Sequence, residues 1–230
     1  MSADDFIARP SPNFDSRGGR AIDMLVMHYT GMTSAEGAIA RLCDPVAKVS
    51  AHYVLDEDGT VFQLVAEEAR AYHAGISFWA GEAGMNACSI GIEIVNPGHE
   101  FGYRDFPEPQ IARLIALSQG IISRHGIPPS RIVGHSDIAP ARKIDPGEKF
   151  PWARLARAGI GLWPHDAPGH LTGDAAEILA RIGYGVRPQV DVALETVIAA
   201  FQRRFRVSCI DGQWDGECAR IAASLVSQLA

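Results

Sequence analysis

89-SIGIEIVNPG-98 reads as a buried strand closed by a strong turn at Asn96-Pro97-Gly98. Downstream, from Pro109 to His125, apolar residues return at helical spacing: Ile111, Leu114, Ile115, Leu117, Ile121 and Ile122. Gly126 supplies the stop. Residues 131–134 then make a further short strand. Upstream, 24–29 is an apolar run, read as another buried strand. Ser34 looks like the N-cap of a helix reaching about Leu42. Runs 50–56 and 60–65 flank Asp56-Glu57-Asp58-Gly59, a hairpin signal. Strands alternating with helices predict an α/β fold, a mixed central β-sheet flanked by helices.

The rest of the chain is less regular. Residues 1–20, with Pro10, Pro12, Gly18 and Gly19, read as an irregular lead-in. Residues 72–88, rich in Gly, Ala and aromatics without a clean period, read as a surface loop. The composition changes after Trp163-Pro164, and 164–173 reads as a linker. Helical segments follow at roughly 173–182, 190–206 and 215–229. The middle one gathers Val192, Leu194, Val197, Ile198 and Phe201 near one face. The expected organisation is therefore a first domain over 1–163, a linker over 164–173, and a small three-helix C-terminal domain over 174–230.

Whole-chain properties narrow the function. The formal net charge of -6 argues against a nucleic-acid binder. No apolar run approaches the roughly 18–20 residues needed to cross a bilayer. The acidic start, Met1-Ser2-Ala3-Asp4-Asp5, does not read as a secretory signal, so the expected location is the cytoplasm, or the periplasm if a signal has been trimmed from the start. Cys43, Cys88, Cys209 and Cys218 show no metal-finger spacing and are expected as thiols.

Two segments carry the chemistry. 132-IVGHSDIAPARKIDPGEKFPW-152 packs His135, Lys143 and Asp145 into one stretch behind a strand. 24-MLVMHYTGM-32 places His28 at a strand end. Two histidines and a carboxylate on strand ends suit zinc, and three protein ligands leave the fourth position for water. A structural zinc would more often be closed by four ligands, commonly cysteines, and no Cys lies near these positions. Taken singly, His28 or His135 is more often a satisfied core residue, Asp145 a turn cap and Lys143 a solvated surface cation. Their order and spacing together favour the metal. Glu93 is the second strong feature. A carboxylate among Ile90, Ile92, Ile94 and Val95 is costly unless paired or functional. The functional reading makes it a general base with a raised pKa.

These blocks resemble the zinc-dependent N-acetylmuramoyl-L-alanine amidases of the type 2 group, relatives of the peptidoglycan recognition proteins. The similarity runs through VMHYTGM, SAHYVLDEDGTVFQLV, AYHAG, NACSIGIEIVNPG and GHSDIAPARKIDPG, in order, over roughly residues 20–160. It implies zinc held by His28, His135 and Asp145, with Glu93 as the catalytic carboxylate and Lys143 as the cation near the scissile carbonyl. It also places His52, His73 and Asn86 as candidate substrate contacts, with His52 alternatively a core residue orienting a ligand. Tyr72 stands where the family more often has Trp. His99, His125, His165 and His170 read as surface residues. ILARIGYGV, ETVIAAFQRRFR and IDGQWDGECARIAASL resemble a three-helix peptidoglycan-binding domain, though PQVDV replaces its usual Asp-Gly turn. Arg187 and Arg203 are the possible glycan contacts there.

The resemblance implies hydrolysis of the amide between the lactyl group of N-acetylmuramic acid and L-alanine. Muropeptides, including 1,6-anhydro forms returned from the wall, are the implied substrates, in cell-wall recycling. Action on polymeric peptidoglycan in the envelope is the alternative role, favoured by the helical domain. Two other classes fit the same residues. A muropeptide-binding module would bind without turnover, and a zinc peptidase would cut a different bond, visible in product masses.

Overall fold

The computed structural model describes residues 5–165 and 171–229. Two short strands come first, β1 (Ile7–Ala8) and β2 (Phe14–Ser16), followed by β3 (Met24–Tyr29) and helix α1 (Ala35–Leu42). Then come β4 (Tyr53–Leu55), β5 (Val61–Gln63), β6 (Ala69–Ala71), β7 (Phe78–Trp79), β8 (Glu82–Ala83) and β9 (Ser89–Ile94). The one-turn α2 (Gly98–Phe101), the long α3 (Glu108–His125), β10 (Ile132–Gly134) and the one-turn α4 (His135–Ile138) follow. Helices α5 (Trp152–Arg157), α6 (Ala175–Ile182), α7 (Leu194–Phe205) and α8 (Gly216–Ser227) complete the chain.

Six strands form the central sheet in the order β1-β5-β4-β9-β3-β10. Only the β4–β5 hairpin is antiparallel; the other neighbours are parallel, so the sheet is mixed. The alternation of side chains along a strand splits β9 between two environments. Ile90, Ile92 and Ile94 join Leu25 and Met27 under α3, which contributes Ile111, Leu114, Leu117 and Ile121. Burying each such side chain contributes about 1.5–3 kcal/mol. Gly126, in the left-handed region at φ 65°, ends α3 and donates its N–H to the Ile122 carbonyl at 2.8 Å. Ser34 caps α1 by accepting the Gly37 N–H at 3.2 Å.

The other face carries Met24, Val26 and Val133. One continuous apolar cluster joins them to Trp79 and Met85 and to Ile178, Phe201 and Leu225 of the C-terminal helices. Polar contacts reinforce this junction. Arg204 reaches from α7 to Asp137 Oδ2 at 2.7 Å and to the Ile132 carbonyl at 3.0 Å. Its guanidinium lies 4.0 Å from the Trp152 ring centre. Tyr184 donates to Asp137 Oδ1 at 2.7 Å, and Asp137 Oδ2 also accepts the Gly134 N–H at 2.8 Å. The fully buried Asp137 carboxylate is thus satisfied from three sides.

The helices and strands lie close to their expected positions, with three corrections. Residues 5–20 are not irregular throughout: β1 extends the central sheet and β2 pairs with β6. Two- and three-residue strands carry no period, which explains why the pattern hides them. Residues 72–88 are not a surface loop. His73, Ala74, Trp79 and Met85 are buried there, because the C-terminal helices cover the segment and Trp79 packs edge-on against Tyr184 at 5.0 Å. His125 is not a free surface residue, since its Nε2 lies 2.6 Å from Glu67. His99 and His165 are exposed, while His170 and half of the expected linker, residues 166–170, lie outside the described residues.

Candidate metal centre

The site forms where parallel strands end, the usual place for ligands in such sheets. On β3, His28 pairs in register with Glu93 of β9, so both side chains leave the sheet on one face. On β10, Gly134 pairs with Met27. The next residue, His135, therefore emerges beside His28. The chain then loops through 139–144, and the Ser136 N–H bonds the Asp145 carbonyl at 2.8 Å. That bond returns Asp145 to His135.

Three donor atoms converge. His28 Nδ1 and His135 Nδ1 are 2.9 Å apart, and each lies 3.1 Å from Asp145 Oδ2. All three residues are buried. Burial and the neighbouring His135 push the His28 imidazole down to about 4, so it is neutral near pH 7. Burial alone would raise the Asp145 carboxyl, but His135 and His28 outweigh it and hold the group well below the carboxylate range. His135 Nε2 lies 3.2 Å from the Ala74 carbonyl, a pure acceptor, so Nε2 carries the proton and Nδ1 presents its lone pair. Two imidazole nitrogens and one carboxylate oxygen, aimed at one point, fit a divalent cation of the zinc type.

Glu93 is half-buried beside this cluster, and its Oε2 is enclosed without a hydrogen-bond partner among the described residues. Burial, with the Asp145 charge second and Lys143 opposing, pushes its carboxyl up to about 8. Lys143 is half-buried and lines the same cleft as Glu93, His135, Asp145 and Tyr72. The cleft encloses about 390 Å³.

The remaining candidates fall differently. His52 is fully buried behind β9 and away from the cleft wall. Its Nδ1 accepts the Gly91 N–H at 3.0 Å, and its Nε2 lies 2.8 Å from Arg17. His52 therefore exposes no surface in this structure. His73 sits at the cleft, but its nitrogens lie 3.0 Å from His28 Nε2 and 3.1 Å from Ser89 Oγ, leaving neither for a ligand. Asn86 Oδ1 accepts the N–H groups of His73 and Ala74 at 3.1 and 2.7 Å, and the residue reaches an adjoining cleft. Arg187 is exposed and paired with Asp191 at 2.7 Å, and Arg203 is half-buried.

Sequence reasoning missed Arg17. It is 7% exposed and donates to the carbonyls of Glu67, Ala87 and Ser89, tying the segment before β9 in place. A single Arg between a Pro-rich stretch and two glycines carries no readable signal.

Sheet order and site together define a mixed α/β protein with a candidate metal centre at its strand ends. The chain belongs to the N-acetylmuramoyl-L-alanine amidase family, whose pattern matches residues 18–148. It is 39% identical to the N-acetylmuramoyl-L-alanine amidase AmiD of Escherichia coli K12, over 90% of this chain and 83% of that protein. It is 33% identical to the 1,6-anhydro-N-acetylmuramyl-L-alanine amidase AmpD of Citrobacter freundii, over 64% of this chain and 86% of that protein. AmiD from E. coli, solved with anhydro-N-acetylmuramic acid-L-Ala-D-γ-Glu-L-Lys, superposes with a TM-score of 0.80 at 38% identity, covering 93% of this chain and 90% of that one. AmpDh3 of Pseudomonas aeruginosa with anhydromuramic pentapeptide gives 0.82 at 34% identity, covering 95% of each chain.

Proposed function

We propose that this chain is a zinc-dependent N-acetylmuramoyl-L-alanine amidase. It cuts the amide between the lactyl group of N-acetylmuramic acid and L-alanine, and its substrates include 1,6-anhydromuropeptides in cell-wall recycling. The carrying observation is the triangle of His28, His135 and Asp145 donor atoms beside a half-buried Glu93 whose Oε2 has no hydrogen-bond partner among the described residues. Relatives solved with anhydromuropeptides support the substrate class. Among the described residues, no helix is long and apolar enough to cross a membrane. Residues 174–230 are proposed as a peptidoglycan-binding-like segment, on the resemblance of their sequence.

His28, His135 and Asp145 would hold the zinc. When bound, zinc supplies a Lewis acid for the carbonyl and brings the pKa of a water to about 7. Glu93 takes the proton of the attacking water. Its raised pKa suits it to keep that proton and then deliver it to the leaving amine of L-alanine. Lys143 stands by the carbonyl oxygen as negative charge develops there.

Asp145→Ala is expected to remove one of three ligands and abolish both zinc retention and turnover, checked by metal analysis after dialysis. Full zinc occupancy in that variant would remove Asp145 from the ligand set. Lys143→Ala is expected to keep zinc but lower kcat by about 10²–10³, the scale of one lost oxyanion partner. Because Lys143 lowers the Glu93 pKa, the acid limb of kcat/KM should also move to higher pH in this variant. Near wild-type turnover would defeat the role.

The reading itself is tested by mass spectrometry of products. Zinc-loaded protein is offered 1,6-anhydromuramoyl tripeptide and intact sacculi in parallel. Free tripeptide from the soluble substrate is the expected result. Release from sacculi alone would move the role to the envelope, and no cleavage of either would favour a binding module.

A further inference from the structure

Hydrogen-bond directions behind His28 can be assigned one by one. Ser89 donates its only hydroxyl proton to the Met85 carbonyl at 2.6 Å. Toward His73 Nε2, 3.1 Å away, Ser89 Oγ can therefore only accept, so the His73 proton sits on Nε2. That leaves His73 Nδ1 as a bare acceptor. His28 Nε2, 3.0 Å from it, must be the donor. A neutral imidazole carries one N–H, so His28 Nδ1 is left with its lone pair. This is the nitrogen that faces His135 Nδ1 and Asp145 Oδ2.

We propose that His73 is a positioning residue for the metal centre: with Ser89 and the Met85 carbonyl it fixes the tautomer and ring orientation of His28. The inference rests on the metal reading above and goes beyond it. A second observation supports it independently. Gly91 lies on β9 between Ser89 and Glu93, and a Cβ there would sit 2.5 Å from the His73 ring. Any larger residue at 91 displaces the ring, so the sheet is shaped to receive His73. The Asn86 side chain accepts the N–H groups of His73 and Ala74 and so fixes the backbone that carries the ring. The two histidine ligands are thereby oriented by different means. His135 leans on a backbone carbonyl, while His28 depends on a side chain that substitution can remove.

Partners that orient a metal-bound histidine typically contribute 10–100-fold to metal affinity. The test compares zinc affinity, by chelator competition, in wild type, His73→Leu and His73→Asn. Asn can place its Oδ1 where His73 Nδ1 stood and accept the same proton; Leu cannot. The expected result is a loss of about 10–100-fold for His73→Leu and substantial recovery for His73→Asn. Equal affinities in wild type and folded His73→Leu would overturn the proposal, as would equal losses in both variants. ¹⁵N NMR of the metal-free wild-type protein gives an answer that needs neither a variant nor zinc. It should show His28 protonated on Nε2 alone, and protonation on Nδ1 would overturn the assignment. Absence of zinc binding in the wild type would sink the metal reading, while the NMR result would still decide the tautomer.

Discussion

Glu93→Gln should retain fold and zinc while losing about 10²–10⁴ of kcat, the usual contribution of a positioned general acid–base group. Gln keeps the shape of the side chain and cannot move the proton. Zinc analysis and product release on the same sample check both halves. Turnover within a few-fold of wild type would exclude Glu93 as the proton carrier. The same pair of proteins yields a stability signature. The Glu93 carboxyl is pushed up by burial, from its ordinary 4.5 to about 8. A group raised in this way favours the folded state at low pH and loses that contribution as pH climbs through the folded value. In metal-free protein, the stability of wild type relative to Glu93→Gln should therefore fall between about pH 4.5 and 8. Urea denaturation at several pH values would show it, and a flat difference would mean that Glu93 is solvated.

The second large effect lies at the junction with the C-terminal helices. Arg204→Met leaves Asp137, whose side chain is 1% exposed, without its cation. Removing one partner of a buried pair costs about 3–5 kcal/mol. For a chain of this size, that corresponds to a melting temperature lower by roughly 6–20 °C. Asp137→Asn combined with Arg204→Met should recover much of the loss, because no charge is then stranded. A single variant as stable as wild type would show that water reaches Asp137. His135 lies two residues away on α4, so weaker zinc retention should accompany the loss of stability.

Elements with a local period were legible in the chain. The strand at 89–94, the helix at 108–125 and the hairpin around Gly59 each announce themselves within a few residues. His28, Glu93, His135 and Asp145 were legible because strand ends and an isolated carboxylate in an apolar run are local features too. The order within 72–88 was not, since it comes from distant partners. Arg17 lies tens of residues before the carbonyls it holds, and Tyr184 arrives from the far end of the chain to cover Trp79. The role of His73 is hidden for the same reason. AYHAG shows a histidine, but not that Gly91 makes room for its ring or that Ser89 settles its proton.

The apolar cluster that runs from β3 into α6, α7 and α8 also bears on ancestry and engineering. Such a protein cannot be shuffled like beads on a string. A recombination point placed between its sheet and its helices, bringing in three helices without a counterpart of Arg204, would leave Asp137 without its cation. The new interior would inherit a stranded carboxylate two residues from His135. Changes on the two sides must therefore be acquired together, and a graft of this tail onto another amidase should carry Asp137, Trp79 and Trp152 with it.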